Sequence, residues 1–205
     1  MSIKETTPDL RVQRTLQLIR DAVISLMDEQ GFDRTTVRDI TARAMINRAT
    51  FYLHYEDKYD LLKKIIDGML HELKQTMALP VSFSAEQFNM NAETPPESFV
   101  RQFEHLAANA LFYKVMLGPN GAPGFAGRME QVIQEALFER QTLAQPNEQQ
   151  LSLPRELIIR YATSAHIGLM KHWLENNMPY SPHYMATQLK RLHLLGPTRL
   201  SLPLE

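Results

Sequence analysis

Val37 to Lys58 reads VRDITARAMINRATFYLHYEDK, and its apolar residues fall where two short helices crossing at a tight turn need them. Ile40 and Ala44 are placed to line the inner face of a first helix, Ile46 to plug the turn, and Phe51 with His54 to anchor a second. Such a pair is a helix-turn-helix, whose second helix lies in the major groove of DNA. Two local signals set its boundaries. Thr36 and Asp39 have the spacing of a capping pair for the first helix, and Asn47 is a favourable N-cap for the second.

Working outward, helical periodicity continues on both sides. Thr7-Pro8-Asp9 has the composition of a helix start, with the residues before it expected as a mobile arm, and Val12, Leu16, Ile19, Val23 and Leu26 form one stripe ending at Gly31. After Lys58, the residues Leu61, Leu62, Ile65, Ile66, Met69, Leu70, Leu73 and Met77 make a stripe broad enough to need neighbours on two sides. Leu79-Pro80 ends that helix, and Val81 to Pro96, with Phe83, Phe88 and Met90, reads as a connector with one short helix at most. Glu97 to Leu117 reads as a single helix, and the breaker cluster Gly118 to Gly124 as a loop. A helix with Met129, Val132, Ile133, Ala136 and Leu137 follows, then the polar linker Ala144 to Gln150. Pro154 opens the next helix. Ser181 and Pro182 start the last, which Gly196-Pro197 closes, leaving Thr198 to Glu205 as a loose tail. The expectation is an all-α chain of about nine helices: a three-helix DNA-binding domain over 1–56 and a helical C-terminal domain over 57–205.

Bulk properties bound the rest. The chain has 205 residues, 44% hydrophobic and 22% charged, with no cysteine, so disulfides and thiolate metal sites are excluded. No stretch approaches the roughly 18 apolar residues of a membrane span, and the polar start is no signal peptide, so a cytoplasmic location is expected. Net charge is −1, yet Arg34, Arg38, Arg43, Arg48 and Lys58 face only Asp39, Glu56 and Asp57 over residues 34–58, a local excess of two positive charges. That excess permits DNA binding without demonstrating it. Catalysis finds no support, with no HExxH, P-loop, GxSxG or cysteine nucleophile, and seven scattered histidines suggest no metal or cofactor.

The order of motifs over residues 10 to 62 is specific: Glu29-Gln30-Gly31-Phe32, Thr35-Thr36-Val37-Arg38-Asp39-Ile40, Asn47-Arg48-Ala49-Thr50-Phe51-Tyr52-Leu53-His54-Tyr55, Asp57-Lys58 and Leu61-Leu62. It resembles the DNA-binding domain of the TetR family of bacterial regulators. Two positions depart: Met45 stands where that family usually has glycine, and Thr41 where it usually has alanine. A left-handed Met45 costs roughly 1–2 kcal/mol. The segments Phe112 to Leu117 and His172 to Pro182 resemble a C-terminal domain of a subset of that family.

The resemblance implies a homodimeric repressor on double-stranded, near-palindromic operator DNA. Asn47 starts its reading helix, Arg48, Ala49 and Thr50 approach base edges, Arg38 is a second base reader, and Thr36, Tyr52, His54 and Lys58 reach phosphates. It places the dimer interface on Pro154 to Asn177 and Ser181 to Leu195, here through Tyr161, Ala165, Leu169, Trp173, Met185, Leu189 and Leu192. A small apolar or amphipathic effector is expected among Phe103, Phe112, Met116, Met129, His166 and Met170, with His105 a further buried-polar candidate. The alternative keeps the fold but makes the C-terminal half a docking site for a protein co-regulator.

Overall fold

In this computed structural model, which describes residues 10–78 and 94–200, every regular element is a helix. The expected start at Thr7, the arm before it, the connector with Phe83, Phe88 and Met90, and the end of the tail lie outside the described residues. α1 (Leu10–Gln30) stops at Gly31, whose φ of 81° is the left-handed conformation glycine adopts at little cost. Its stripe is buried from Ile19 to Met27, whereas Val12 is exposed. Only the second half of the helix therefore packs fully against its neighbours.

α2 (Val37–Arg43) begins with a complete capping box: Thr36 Oγ1 accepts from Asp39 N at 3.2 Å, and Thr36 N donates to Asp39 Oδ2 at 3.0 Å. α3 (Arg48–Tyr52) begins at Asn47, whose Oδ1 accepts from Ala49 N at 2.9 Å. Between them the chain turns by a Schellman motif, with Ile46 N donating to Thr41 O at 3.0 Å and Met45 N to Ala42 O at 3.2 Å. The geometry puts Met45 at φ 53°. Thr41 is buried and its hydroxyl donates back to Arg38 O, so neither departure breaks the turn. Phe51 is fully buried as expected, but its partner in the core is Tyr55; His54 stays half-buried.

α4 (Lys58–Met77) buries all eight residues of its stripe, packing against α5 (Glu97–Ala108) and α7 (Phe125–Ala144). The single helix expected over Glu97 to Leu117 is instead two, α5 and α6 (Ala110–Leu117), broken at Asn109 with φ −118° and ψ 29°. The cause is local and tertiary together. Asn109 Nδ2 donates to His105 O at 2.9 Å, while Asn109 Oδ1 accepts from Arg20 of α1 at 2.8 Å. Periodicity ran through the break because Phe103, Leu106 and Tyr113 are buried on both sides of it. His105 is a satisfied core histidine, with Nε2 2.8 Å from the hydroxyl of Tyr113.

A short 3-10 turn (Glu148–Gln150) precedes α8 (Arg155–Glu175) and α9 (Pro182–Leu200). Ser181 Oγ accepts from Tyr184 N at 3.2 Å, the expected N-cap. Gly196 kinks α9 with φ 69°, but helix resumes to Leu200, so Gly196-Pro197 bends the element where a stop was expected. Among the described residues no helix is long and apolar enough to cross a membrane.

Met45 is 87% exposed, so its side chain contributes little packing to set against its strained backbone. Met45→Gly is expected to recover about 1 kcal/mol and raise Tm by roughly 2–4 °C in a chain of this size. Thermal unfolding followed by circular dichroism measures this, and a lowered Tm contradicts it.

Candidate nucleic-acid interface

The outer face of α3 is set by what its inner face must do. Phe51 and Tyr55 are buried with their rings 5.5 Å apart, which turns Arg48, Ala49 and Tyr52 outward into solvent, with Thr50 partly covered. Arg48 Nη2 lies 3.5 Å from the hydroxyl of Tyr52, so the two sit side by side one helical turn apart. Asn47 is exposed at the helix entrance, with its side-chain oxygen committed to the cap. Arg38 projects from the start of α2 and is exposed.

The other cations of the motif have internal partners. Arg43 grips Glu29 of α1 through two parallel hydrogen bonds of 2.7 and 2.8 Å and also donates to Ser25 at 2.8 Å. The two Arg43 bonds, and after them one that Ser25 Oγ donates to Glu29 Oε1 at 3.1 Å, hold the Glu29 carboxyl down at about 2. Arg34 donates to Gln30 O at 2.7 Å. Lys58 places its ammonium 2.9–3.0 Å from three carbonyl oxygens, of Phe32, Asp33 and Thr35, with the ring of Phe32 4.8 Å away. An ammonium has three donors, and here all three are in use. In this structure Lys58 thus clamps the α1–α2 loop onto α4. Thr36 is similar, since its hydroxyl donates to Asp39 Oδ2 at 2.6 Å and has no proton left for a phosphate. His54 offers its ring at the edge of Tyr55, and its carbonyl accepts from Lys64 at 3.1 Å. Tyr55 and Lys64 are the residues that sequence reasoning missed. The signal for Tyr55 was its place four residues after Phe51, on the same helical face.

The C-terminal candidates divide. Phe103, Phe112, Met116, Met129, His166 and Met170 are all buried, yet none lines the apolar cavity of about 320 Å³ between α7, α8 and α9. They are core packing in this conformation, as with Phe103 set edge-on to Trp173 at 5.2 Å. Of the residues expected at a dimer interface, Tyr161 and Ala165 face solvent and Leu169 is partly covered. Trp173, Met185 and Leu189 are 1%, 4% and 2% exposed, so they pack inside one protomer and are withdrawn from that surface; Leu192 lines the cavity instead. A helix periodic on two faces does not say which one a second chain covers.

Comparison with known proteins bears on this geometry. Residues 19–65 match the profile described as bacterial regulatory proteins, tetR family, and residues 93–194 match a transcriptional regulator C-terminal region. The chain belongs to the TetR family of transcriptional regulators. These are not enzymes. It is 24% identical over 186 residues to an uncharacterised HTH-type transcriptional regulator, YxbF, of Bacillus subtilis; the match covers 90% of this chain and 46% of that protein, so the chain spans about half the relative's length. Over 50 residues, 24% of this chain and 27% of the other, it is 37% identical to IcaR of Staphylococcus epidermidis, a negative regulator of a biofilm operon. Among solved structures, a TetR regulator from Streptococcus agalactiae superposes with a TM-score of 0.60 at 23% identity, covering 90% of this chain and 96% of that one, which supports the fold.

Two outcomes test these roles. Lys58→Ala leaves three carbonyl oxygens without that donor and is expected to cost about 1–3 kcal/mol of stability, read as a lower Tm with unchanged helix content. The Glu29 carboxyl is more acidic folded than its ordinary 4.5, so its bond to Arg43 contributes fully above pH 4.5 and is lost as pH falls toward about 2. The Tm difference between wild type and Arg43→Ala is expected to be constant from pH 7 to 5 and to shrink below that. A difference that grows on acidification contradicts the assignment.

Proposed function

We propose that this TetR-family chain works as a homodimer that reads a near-palindromic operator and is released from it by a small-molecule effector, acting in the cytoplasm as a repressor. The observation that carries the reading is the outward face of α3. Arg48, Ala49 and Tyr52 stand exposed on a short helix whose inner face is locked by Phe51, and Arg38 adds a second exposed cation from the start of α2. With Arg34, Arg43 and Lys58 tied down internally, Arg38 and Arg48 are the motif's available charges. A bidentate Arg–guanine pair discriminates by roughly 1–3 kcal/mol, and the methyl groups of Ala49 and Thr50 suit thymine. Tyr52 and His54 are the phosphate donors in this reading, and Asn47 fixes the helix entrance.

One head covers only half a site, so affinity requires two. The row Leu157, Tyr161 and Ala165, all exposed, with Leu169 partly covered, runs at helical spacing along α8, an apolar stripe that suits a second copy. In this proposal residues 1–56 are the reading head and 57–205 the dimerising and ligand-binding part. α4 links them, and an effector shifts the equilibrium only by its differential affinity for the two states.

Selection of bound sequences from random DNA is expected to return two half-sites about 34–36 Å apart, or a multiple. Arg48→Ala should change the preferred base at one position in each half-site. Indifference to sequence would end this reading. Tyr161→Glu is expected to shift sedimentation from dimer to monomer while leaving the helix content unchanged, and a variant that stays dimeric moves the interface off α8.

A further inference from the structure

The outward face of α3 has a centre that its polar residues do not occupy. Phe51 is fully buried and fixes which side of the helix meets the core. An α-helix turns about 100° per residue, so Ala49 and Leu53, two residues before Phe51 and two after it, each lie about 200° round from it. That puts both within roughly 20° of the point directly opposite the core. Arg48 and Tyr52 flank this point on one side, and Thr50 on the other.

Leu53 is the C-cap of α3 and keeps a helical backbone, with φ −71° and ψ −22°, its N–H donating to Ala49 O at 3.2 Å. Its side chain therefore shares a face with that of Ala49, one turn away. Leu53 is 78% exposed, and Ala49 is exposed too. A leucine at a protein surface needs no explanation in general, because more than half of such surface is hydrocarbon. Its position is what matters here: the middle of the face that enters a groove, on a helix of only five residues.

The face divides into two strips. Arg48 and Tyr52, 3.5 Å apart at Nη2 and the hydroxyl, make a polar one; Ala49 and Leu53 make an apolar one beside it. The base edges of the major groove decide what the apolar strip can meet. Against guanine, adenine or cytosine, a leucine covers a donor or acceptor that loses water and gains no partner. Thymine alone presents hydrocarbon there, its C5 methyl group. The strip rises about 6 Å from Ala49 to Leu53, which spans about two steps of roughly 3.4 Å between bases on one strand. A duplex also suits both strips at once, since its guanines and phosphates pair Arg48 and Tyr52 while its methyl groups cover the apolar residues.

We propose that Leu53 is a specificity-determining residue that packs on the 5-methyl group of a thymine, with Ala49 against a second thymine one or two base pairs away in the same half-site. This rests on the reading that α3 enters the major groove, and adds to it the base and the chemical group that are recognised.

The probe is the best-bound duplex from selection on random DNA, with each thymine of its half-sites replaced in turn by deoxyuridine. That change removes the methyl group and leaves the base's hydrogen bonds in place. Fluorescence anisotropy measures binding by the wild type, Leu53→Ala and Leu53→Met. Burying one methyl group is worth about fourfold in affinity, so uridine at the contacted thymine of both half-sites is expected to weaken the wild type by roughly tenfold. Leu53→Ala is expected to weaken binding to the thymine duplex by a similar factor and to lose the uridine penalty at that position. Its Tm should match the wild type, because the side chain removed is exposed. Leu53→Met keeps a flexible apolar end and is expected to retain most of the penalty. A sequence-selective protein that is indifferent to uridine throughout, or whose uridine penalties persist unchanged in Leu53→Ala, overturns the role of Leu53 and leaves the operator reading standing. Binding indifferent to sequence overturns both.

Discussion

α4 buries one apolar face against α5 and α7, and its first turn is built into the N-terminal head. Asp57 caps it by accepting from Tyr59 N and Asp60 N, both at 2.8 Å, while Lys58 holds the α1–α2 loop by three carbonyls. Lys64, two turns along, takes His54 O and stacks 5.4 Å from Tyr55. The helix that ends the head thus also begins the C-terminal core. Lys58 and Lys64 thus tie α4 to the loop before α2 and to the turn after α3 by short polar contacts.

A second tie runs beside it. Arg20 of α1 reaches Asn109 at the α5–α6 break and also meets Met69 Sδ of α4 at 3.5 Å, while Asn120 donates to Asp28 O at 3.2 Å. The break at Asn109 is therefore a contact point between the two halves. Its conformation is fixed by one side chain from each.

The distribution of charge in the head follows from the same economy of parts. Of the five cations over residues 34–58, three hold the motif together. Arg43 fastens α2 to α1 and Lys58 fastens the loop to α4, so stability and recognition draw on different residues. That separation lets Arg38 and Arg48 face outward without loosening the head. In the C-terminal half the balance is reversed: polar atoms are buried, and α8 carries Leu157 and Tyr161 exposed to solvent.

Local pattern alone determined the helix-turn-helix, its Thr36 and Asn47 caps and the full buried stripe of α4, while the left-handed cost at Met45 came from the family resemblance. These depend on interactions within a few residues, where spacing dictates geometry. The tertiary structure decided what a side chain does once distant segments meet. It set Lys58 as a clamp on the α1–α2 loop, split Glu97 to Leu117 at Asn109, put Tyr55 rather than His54 in the core, and drew Trp173, Met185 and Leu189 inside. Periodicity shows that a helix has an apolar face, but only the packed chain says which neighbour covers it, because burial and hydrogen-bond satisfaction are properties of segments far apart in sequence.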